Sequence, residues 1–290
     1  MAAATVRDAL GAAIDALAAV GVHEPRLDAE LLLGEAMGCE RAALVAEEGA
    51  EVPAPAARRF GELVRRRLRR EPVAYILGRK GFRNLDLAVD RRVLVPRPET
   101  ELLVELALEL RPAHLLDVGT GSGAIALAVA DELPECAVTA TDTSAGALEV
   151  ARANAERLGL ADRVRFLEGT LPPADNAETD FDLVLANLPY VAECDWASLQ
   201  PEVTQWEPRE ALLAGPDGLD AYRSFIPGCG RALASYRGLT STTLAVEIGE
   251  GQATAVAELM REAGFGEVET RRDLAGIERV VVGHQVKKTA

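Results

Sequence analysis

The sequence predicts an α/β protein in which a small helical domain and a short hairpin precede a mostly parallel sheet covered by helices on both faces. Three observations predict it. From about residue 99 onward, strand-length apolar runs alternate with helix-length amphipathic ones. One of those strands runs through a glycine-rich turn into a helix, the arrangement by which open α/β sheets present a ligand site. Residues 1–74, in contrast, look helical. At 290 residues the chain accommodates one large domain, or one of about 200 residues with a smaller partner.

The elements follow in order. Thr5 and Asp8 make a capping box for a first helix in which Leu10, Ile14, Leu17 and Val20 keep helical spacing, and Gly21 ends it. A second helix covers about residues 25–37, with Leu27, Leu31 and Leu32 on one side and Gly38 after it. Pro53 and Pro55 introduce a third over about residues 56–70, which carries Arg58, Arg59, Arg65, Arg66, Arg67, Arg69 and Arg70. With Phe60, Leu63, Val64 and Leu68 inward, these arginines read as a solvated face or as a docking face for an acidic or RNA-associated partner.

Phe82, Leu85, Leu87 and Val89 alternate around Arg83-Asn84, the pattern of a hairpin. Val93-Leu94-Val95-Pro96-Arg97-Pro98-Glu99-Thr100 then leads, stiffened by its prolines, into a helix with Glu99 and Glu101 in the first turn. The domains expected are a helical one over residues 1–74, a hairpin linker over 75–98 and an α/β domain over 99–290. Strands are expected at 114–117, 137–141, 164–167, 183–186, 243–247 and 279–282, and helices at about 124–132, 145–158, 218–234 and 252–263.

Composition narrows the function classes. A net charge of −15, with a pI near 4.8, argues against a protein that grips nucleic acid through its phosphates. Cys39, Cys136, Cys194 and Cys229 are scattered, without zinc spacing or a disulfide framework, so reduced thiols are expected. His23, His114 and His284 are far apart, and no metal site is expected. Residues 1–10 include Arg7 and Asp8 and lack the apolar core of a signal peptide. No stretch approaches the ~18 to 20 apolar residues of a membrane span, so the reading is cytoplasmic.

Leu115-Leu116-Asp117-Val118-Gly119-Thr120-Gly121-Ser122-Gly123 reads as a strand and a glycine-rich turn, with a helix starting at Ala124. Gly119, Gly121 and Gly123 allow backbone angles closed to other residues and let a ligand lie against bare backbone. The next strand ends in Asp142, about 20 residues on, where a carboxylate can accept both ribose hydroxyls of an adenosine ligand or simply cap the following helix. NAD and S-adenosylmethionine both meet that requirement. The turn lacks the dinucleotide spacing Gly-x-Gly-x-x-Gly, which favours S-adenosylmethionine.

The acceptor side agrees. Asn187-Leu188-Pro189-Tyr190 sits at the C-terminal end of an apolar strand, the edge where such sheets bind ligands. An amide nitrogen is a poor nucleophile because its lone pair is delocalised. The Asn187 side-chain oxygen and the Leu188 carbonyl can accept its two N–H hydrogens and aim it, Tyr190 can stack on a planar acceptor, and Pro189 stiffens the turn. The motif has no role in hydride transfer. An Asx-type turn with Tyr190 in the core is the plainer alternative.

In these motifs the chain resembles the HemK/PrmC family of protein-(glutamine-N5) methyltransferases that act on peptide chain release factors. The resemblance spans Glu71-Pro72-Val73-Ala74-Tyr75-Ile76-Leu77-Gly78, Leu94-Val95-Pro96-Arg97-Pro98-Glu99-Thr100-Glu101, Asp117 through Leu127, Trp206-Glu207-Pro208, Glu247-Ile248-Gly249 and Asp273 through Val280. It implies a small helical N-terminal domain that helps recognise the release factor, a hairpin linker and a Rossmann-like, seven-stranded S-adenosylmethionine-dependent methyltransferase domain. It also implies the glutamine of a Gly-Gly-Gln loop as acceptor. Cofactor residues carry over to Gly119, Thr120, Gly121, Ser122, Gly123, Asp142, Thr170, Leu171 and Asn187. The acceptor residues are Asn187, Leu188, Pro189 and Tyr190, with Arg97, Glu99, Thr100 and Glu207 bordering the substrate channel.

Two positions depart from the family pattern. Leu188 stands where a proline is usual, and can still offer the backbone carbonyl. Thr170 stands where an acidic residue is usual near the adenine. Three alternatives are weighed beside the resemblance: a nucleic-acid adenine-N6 methyltransferase, a methyltransferase of a glutamine on a large-subunit ribosomal protein, and a non-catalytic cofactor-binding module.

Overall fold

The structure is a computed structural model and describes residues 4–171, 181–235 and 241–286. The chain forms two compact units. One takes the chain up to Arg79 together with Gln200–Trp206; the other takes Lys80–Leu199 and the chain from Glu207 on.

The first unit is helical. Helix α1 (Val6–Ala19) starts at the expected box: the Asp8 N–H donates to the Thr5 hydroxyl, and the Thr5 N–H donates to the Asp8 carboxylate. Helix α2 (Pro25–Met37) ends on Gly38, whose φ of +66° glycine adopts without strain. Helices α3 (Arg41–Ala46), α4 (Ala54–Leu68) and α5 (Val73–Leu77) complete the layer. Val6, Leu17, Leu32, Leu33, Leu44 and Leu63 form its fully buried centre.

Helix α2 differs from the expected pattern. It buries Ala29, Leu32 and Leu33 and leaves Leu27 and Leu31 half-buried, because it has neighbours on several sides and not one apolar stripe. The arginines in and just after α4 divide in a way neither sequence reading anticipates. Arg58, Arg59, Arg65 and Arg69 face solvent. Arg66 pairs with Glu71, and Arg67 and Arg70 both pair with Glu202 of the inserted segment.

The second unit opens with strands β1 (Arg79–Phe82) and β2 (Leu85–Ala88), and Phe82, Leu85, Leu87 and Val89 are all buried as the alternation requires. A single 3-10 turn at Pro98–Thr100 leads into α6 (Glu101–Leu110). The sheet elements follow: β3 (His114–Val118), α7 (Ala124–Glu132), β4 (Ala137–Asp142), α8 (Ala145–Arg157), β5 (Val164–Glu168) and β6 (Leu183–Ala186). After β6 the chain runs out to α9 (Pro201–Trp206), which belongs to the helical unit. It returns for α10 (Asp220–Ser235), β7 (Ser241–Glu247), α11 (Ala253–Glu262), β8 (Glu267–Arg272) and β9 (Glu278–Val286).

These strands form one seven-stranded sheet in the order β5-β4-β3-β6-β7-β9-β8, parallel from β5 through β7, with β9 antiparallel to both its neighbours. Side chains alternate between its two layers: Leu115 and Leu185 enter one core, Leu116 and Val184 the other. Strand β8 has no counterpart among the strands the sequence predicts. Its sequence Glu-Val-Glu-Thr-Arg-Arg offers one apolar residue, Val268, to the core, which suits the sheet edge it occupies. From β3 the chain winds outward to β4 and β5 and then crosses back to β6 and β7. The direction of winding therefore reverses between β3 and β6, and a crevice opens there beyond their C-terminal ends.

Candidate active site

Both sequence motifs emerge at that crevice. The glycine turn follows β3 and Asn187 follows β6, and the two strands pair in parallel with Val118 opposite Ala186. The turn is set by three positive φ angles, +74° at Gly119, +57° at Gly121 and +85° at Gly123. At Gly123 a Cβ would meet Leu127 Cδ1 at 2.8 Å, and the φ of +85° strains any residue other than glycine. Asp117 braces the turn from behind. Its carboxylate accepts the Thr120 hydroxyl at 2.7 Å and the Ala126 N–H at 3.2 Å, while its other oxygen meets no hydrogen-bond partner among the described residues. Full burial pushes this carboxyl up to about 7.

A cavity of about 210 Å³ lies between these elements, far more than the order of 10–15 Å³ that a single trapped water requires. Gly119, Thr120, Gly121, Ser122, Asp142, Thr170, Asn187, Leu188, Pro189, Arg97 and Thr100 all line it. Asp142 ends β4 and accepts from the Gly121 N–H (2.9 Å) and the Ser144 N–H (2.8 Å). The cap of α8 is Ser144, whose hydroxyl accepts from the Ala147 N–H. Asp142 thus orders the glycine turn and keeps its carboxylate on the cavity wall. Thr170 is held by the Thr141 hydroxyl, which donates to the Thr170 carbonyl at 2.9 Å.

Five of the residues expected at the site do not line the cavity. Gly123 lies behind it as the first residue of α7's cap. Leu171 packs into the core layer that contains Ile226. Tyr190 is wedged into the same layer, and burial pushes its hydroxyl up to about 12. Glu99 is half-buried in the 3-10 turn. Glu207, only 7% exposed, acts as a clasp: it accepts from the Val95 N–H at 3.0 Å and from Arg97 Nη2 at 2.5 Å. That clasp fixes the strap Val93-Leu94-Val95-Pro96-Arg97, four of whose residues line the cavity.

Two further buried polar residues near the site are not among the site residues expected from the sequence. Asn154, fully buried on α8, accepts from the Ala88 N–H and donates to the Ala88 and Ser122 carbonyls, tying the hairpin to the glycine turn. A lone amide among the alanines of α8 was the available signal. Glu247 ends β7 and is 2% exposed; the buried Thr100 hydroxyl accepts from Asn187 Nδ2 at 3.0 Å. Burial pushes the Glu247 carboxyl up to about 7.

Comparison with known proteins bears on what this geometry serves. Residues 8–78 match the family model described as the PrmC N-terminal domain, and residues 115–206 match that of a methyltransferase domain. The release factor glutamine methyltransferase of Caulobacter vibrioides is 43% identical over 96% of both chains. That of Moorella thermoacetica is 43% identical over 97% of this chain and 99% of its own. The chain belongs to the release factor glutamine methyltransferase family. It is therefore a methyltransferase, and the resemblance drawn from the sequence holds across both units. The release factor glutamine methyltransferase of Geobacter sulfurreducens gives the same picture at 41% identity over 96% of each chain.

Solved structures agree on the fold. The hMettl16 catalytic domain in complex with MAT2A 3'UTR hairpin 6 superposes with a TM-score of 0.53 at 16% identity, covering 68% of this chain and 74% of that one. A methyltransferase from Pyrococcus furiosus gives 0.51 at 18% identity, covering 72% and 92%. Among the described residues no helix is long and apolar enough to cross a membrane.

Proposed function

We propose that this protein is a cytoplasmic enzyme that transfers a methyl group from S-adenosylmethionine to the side-chain amide nitrogen, N5, of the glutamine in the Gly-Gly-Gln loop of peptide chain release factors. The observation that carries the reading is the pairing of near full-length identity to release factor glutamine methyltransferases with an asparagine amide anchored on the wall of the glycine-turn cavity.

The donor set fits the cofactor. Gly119 and Gly121 present bare backbone, Asp142 presents a carboxylate suited to a ribose diol, and Val93, Leu94 and Ile125 offer apolar wall for an adenine ring. When bound, S-adenosylmethionine supplies a methyl group activated by its sulfonium.

The chain's own residues act by orientation. Asn187 Nδ2 is committed to Thr100, so Oδ1 is the end left to accept one N–H of the glutamine amide. The Leu188 carbonyl accepts the other, a role open to any residue type at that position. As positive charge grows on the nitrogen, its N–H groups become stronger donors, and both hydrogen bonds favour the transition state over the ground state. Pro189 and Arg97 border the acceptor, and Glu207 serves by holding Arg97.

The test incubates the protein with labelled S-adenosylmethionine and, in parallel, with a release factor, its Gln-to-Ala loop variant, a large-subunit ribosomal protein and RNA. Label is expected on the unaltered release factor alone. Label on RNA, or label persisting on the Gln-to-Ala variant, rejects the assignment. Asn187→Ala is expected to abolish transfer while S-adenosylmethionine still binds.

A further inference from the structure

Strands β8 and β9 are joined by Asp273-Leu274-Ala275-Gly276-Ile277, none of which lines the cavity. This loop is built to hold one shape. Asp273 Oδ1 accepts from the Ala275 N–H and the Ile277 N–H, both at 2.9 Å, and Oδ2 accepts from Arg279 Nε at 3.0 Å. The Asp273 N–H donates to the Ile277 carbonyl and the Gly276 N–H to the Asp273 carbonyl, again at 2.9 Å. Arg272 donates to the Gly276 carbonyl at 2.7 Å, and Gly276 takes the left-handed φ of +81°. What this frame displays is Leu274, 109% exposed. The other exposed large apolar side chains among the described residues, Val20, Val45 and Leu110, lie between 40% and 56%. A scattered exposed leucine is ordinary on a protein surface. One held fully in solvent by a loop this well hydrogen-bonded is different, because the backbone that carries it is already ordered before any partner arrives.

The loop's place decides what meets it. Strands β6 and β7 are parallel, with Ala186 opposite Val246, so β7 ends at the sheet edge where Asn187 begins the acceptor turn. Strand β9 runs back along β7 with Val280 opposite Glu247, so the loop before β9 lies on that same edge. Packing links the two. A Cβ at Gly249 would lie 3.1 Å from Tyr190 Cδ2, the Ile248 N–H donates to the Arg279 carbonyl at 2.8 Å, and Arg279 pairs with Asp273. In the sheet order β9 stands two strand spacings from β6, about 10 Å. A stable protein–protein contact covers about 800 Å² on each partner, a patch roughly 30 Å across. Centred on the crevice, such a patch reaches the loop.

We propose that Leu274 is a docking contact for the release factor, entering an apolar hollow on that protein while its glutamine occupies the crevice. The inference deepens the functional reading above and rests on it. Because Leu274 lines no part of the cavity, it serves capture of the protein substrate and not the transfer step.

The test measures steady-state transfer to intact release factor, at saturating S-adenosylmethionine, by the wild type, Leu274→Ala, Leu274→Asp and Leu274→Met. KM for release factor is expected to rise about tenfold in Leu274→Ala and about a hundredfold in Leu274→Asp, with kcat within about threefold. Leu274→Met, similar in volume and apolar, is expected to keep KM within about threefold. S-adenosylmethionine affinity and thermal midpoint are expected to match the wild type in all three, since the side chain is fully exposed. Wild-type kcat/KM in both Leu274→Ala and Leu274→Asp, or a loss that falls on kcat alone, overturns the proposal. So does a wild-type dimer in sedimentation velocity that Leu274→Asp dissociates, since the loop then meets a second copy of the chain. A wild-type protein that labels no release factor overturns the functional reading, and this inference with it.

Discussion

Arg67 Nη2 lies 2.6 Å from Glu202 Oε1, and both side chains are at least nine-tenths buried although 135 residues separate them in sequence. The same guanidinium donates from Nε to Asp28 at 2.6 Å, and Arg70 adds a second cation to Glu202. Burial pushes the Glu202 carboxyl up, but the hydrogen bond from Arg70 and the charge of Arg67 outweigh it and hold it below the usual range. The segment Gln200–Trp206 is thus fastened into the helical unit by charge, ten residues after the acceptor turn ends at Tyr190.

Removing the hub of this cluster strands the buried Asp28 carboxylate and leaves Glu202 with Arg70 alone. Arg67→Met keeps much of the side-chain volume and removes the charge, so it is expected to destabilise the helical unit by about 3–5 kcal/mol, as loss of one partner of a buried pair does. Urea unfolding followed by far-ultraviolet circular dichroism measures this. A change under about 1 kcal/mol, the range of a surface pair, shows that the cluster is solvated in solution.

Asp142 separates two contributions to cofactor binding. Asp142→Ala removes the acceptor for a ribose diol and the acceptor for the Gly121 and Ser144 N–H groups together. Asp142→Asn retains one acceptor oxygen. The expected losses in S-adenosylmethionine affinity are about a hundredfold for alanine and about tenfold for asparagine, from hydrogen bonds to a charged group. Calorimetric titration reads both. Equal affinities in the wild type and Asp142→Ala exclude the carboxylate from the cofactor site.

Asp117 gives a pH signature. Its carboxyl is raised to about 7 from 3.8, so the folded protein keeps a proton that the unfolded chain releases. The stability this proton contributes is fully present below the unfolded value and is lost as pH rises toward 7. Asp117→Asn keeps an oxygen for Thr120 and Ala126 and cannot ionise. From pH 4 to pH 8 the wild type is therefore expected to lose roughly 4 kcal/mol relative to Asp117→Asn, by the linkage of three pH units. Urea midpoints at the two pH values measure it; parallel curves show that Asp117 is ionised throughout.

What the sequence made legible was local. The Thr5–Asp8 box, the alternation around Arg83-Asn84, the parallel strands and the glycine turn each declare themselves within a few residues, and each stands where it was expected. The remainder depends on partners far along the chain. Nothing near Glu202 announces that its helix packs with residues 1–79, and nothing near Arg67 separates it from the exposed Arg65. Strand β8 offers only Val268 to the core, because the sheet edge demands no more. At the site, Glu207 is recognisable as a motif member, but its role as a clasp arises only when the segment holding Val95 and Arg97 meets it in space.

Gly218 is the last residue whose importance is spatial. It adopts φ +76°, and a Cβ there would overlap the Tyr190 carbonyl oxygen and lie 2.8 Å from Gln252 Nε2. Gln252 donates to the carbonyls of both Tyr190 (3.0 Å) and Gly218 (3.2 Å), so this corner pins the backbone at the end of the acceptor turn. A side-chain rotation cannot relieve an overlap with a backbone oxygen. Gly218→Ala is therefore expected to lose about 2–4 kcal/mol, the left-handed penalty plus the strain of displacing Tyr190. Because the displaced segment carries Asn187 and Leu188, kcat is expected to fall more than about tenfold while S-adenosylmethionine affinity stays within about threefold. Gly251→Ala is the control: φ is +81°, and nothing lies within 4 Å of a Cβ there. It is expected to lose only about 1 kcal/mol and to keep its activity. Equal effects at the two glycines assign the loss to backbone conformation alone; a larger effect at Gly218, in both stability and kcat, assigns it to the acceptor turn.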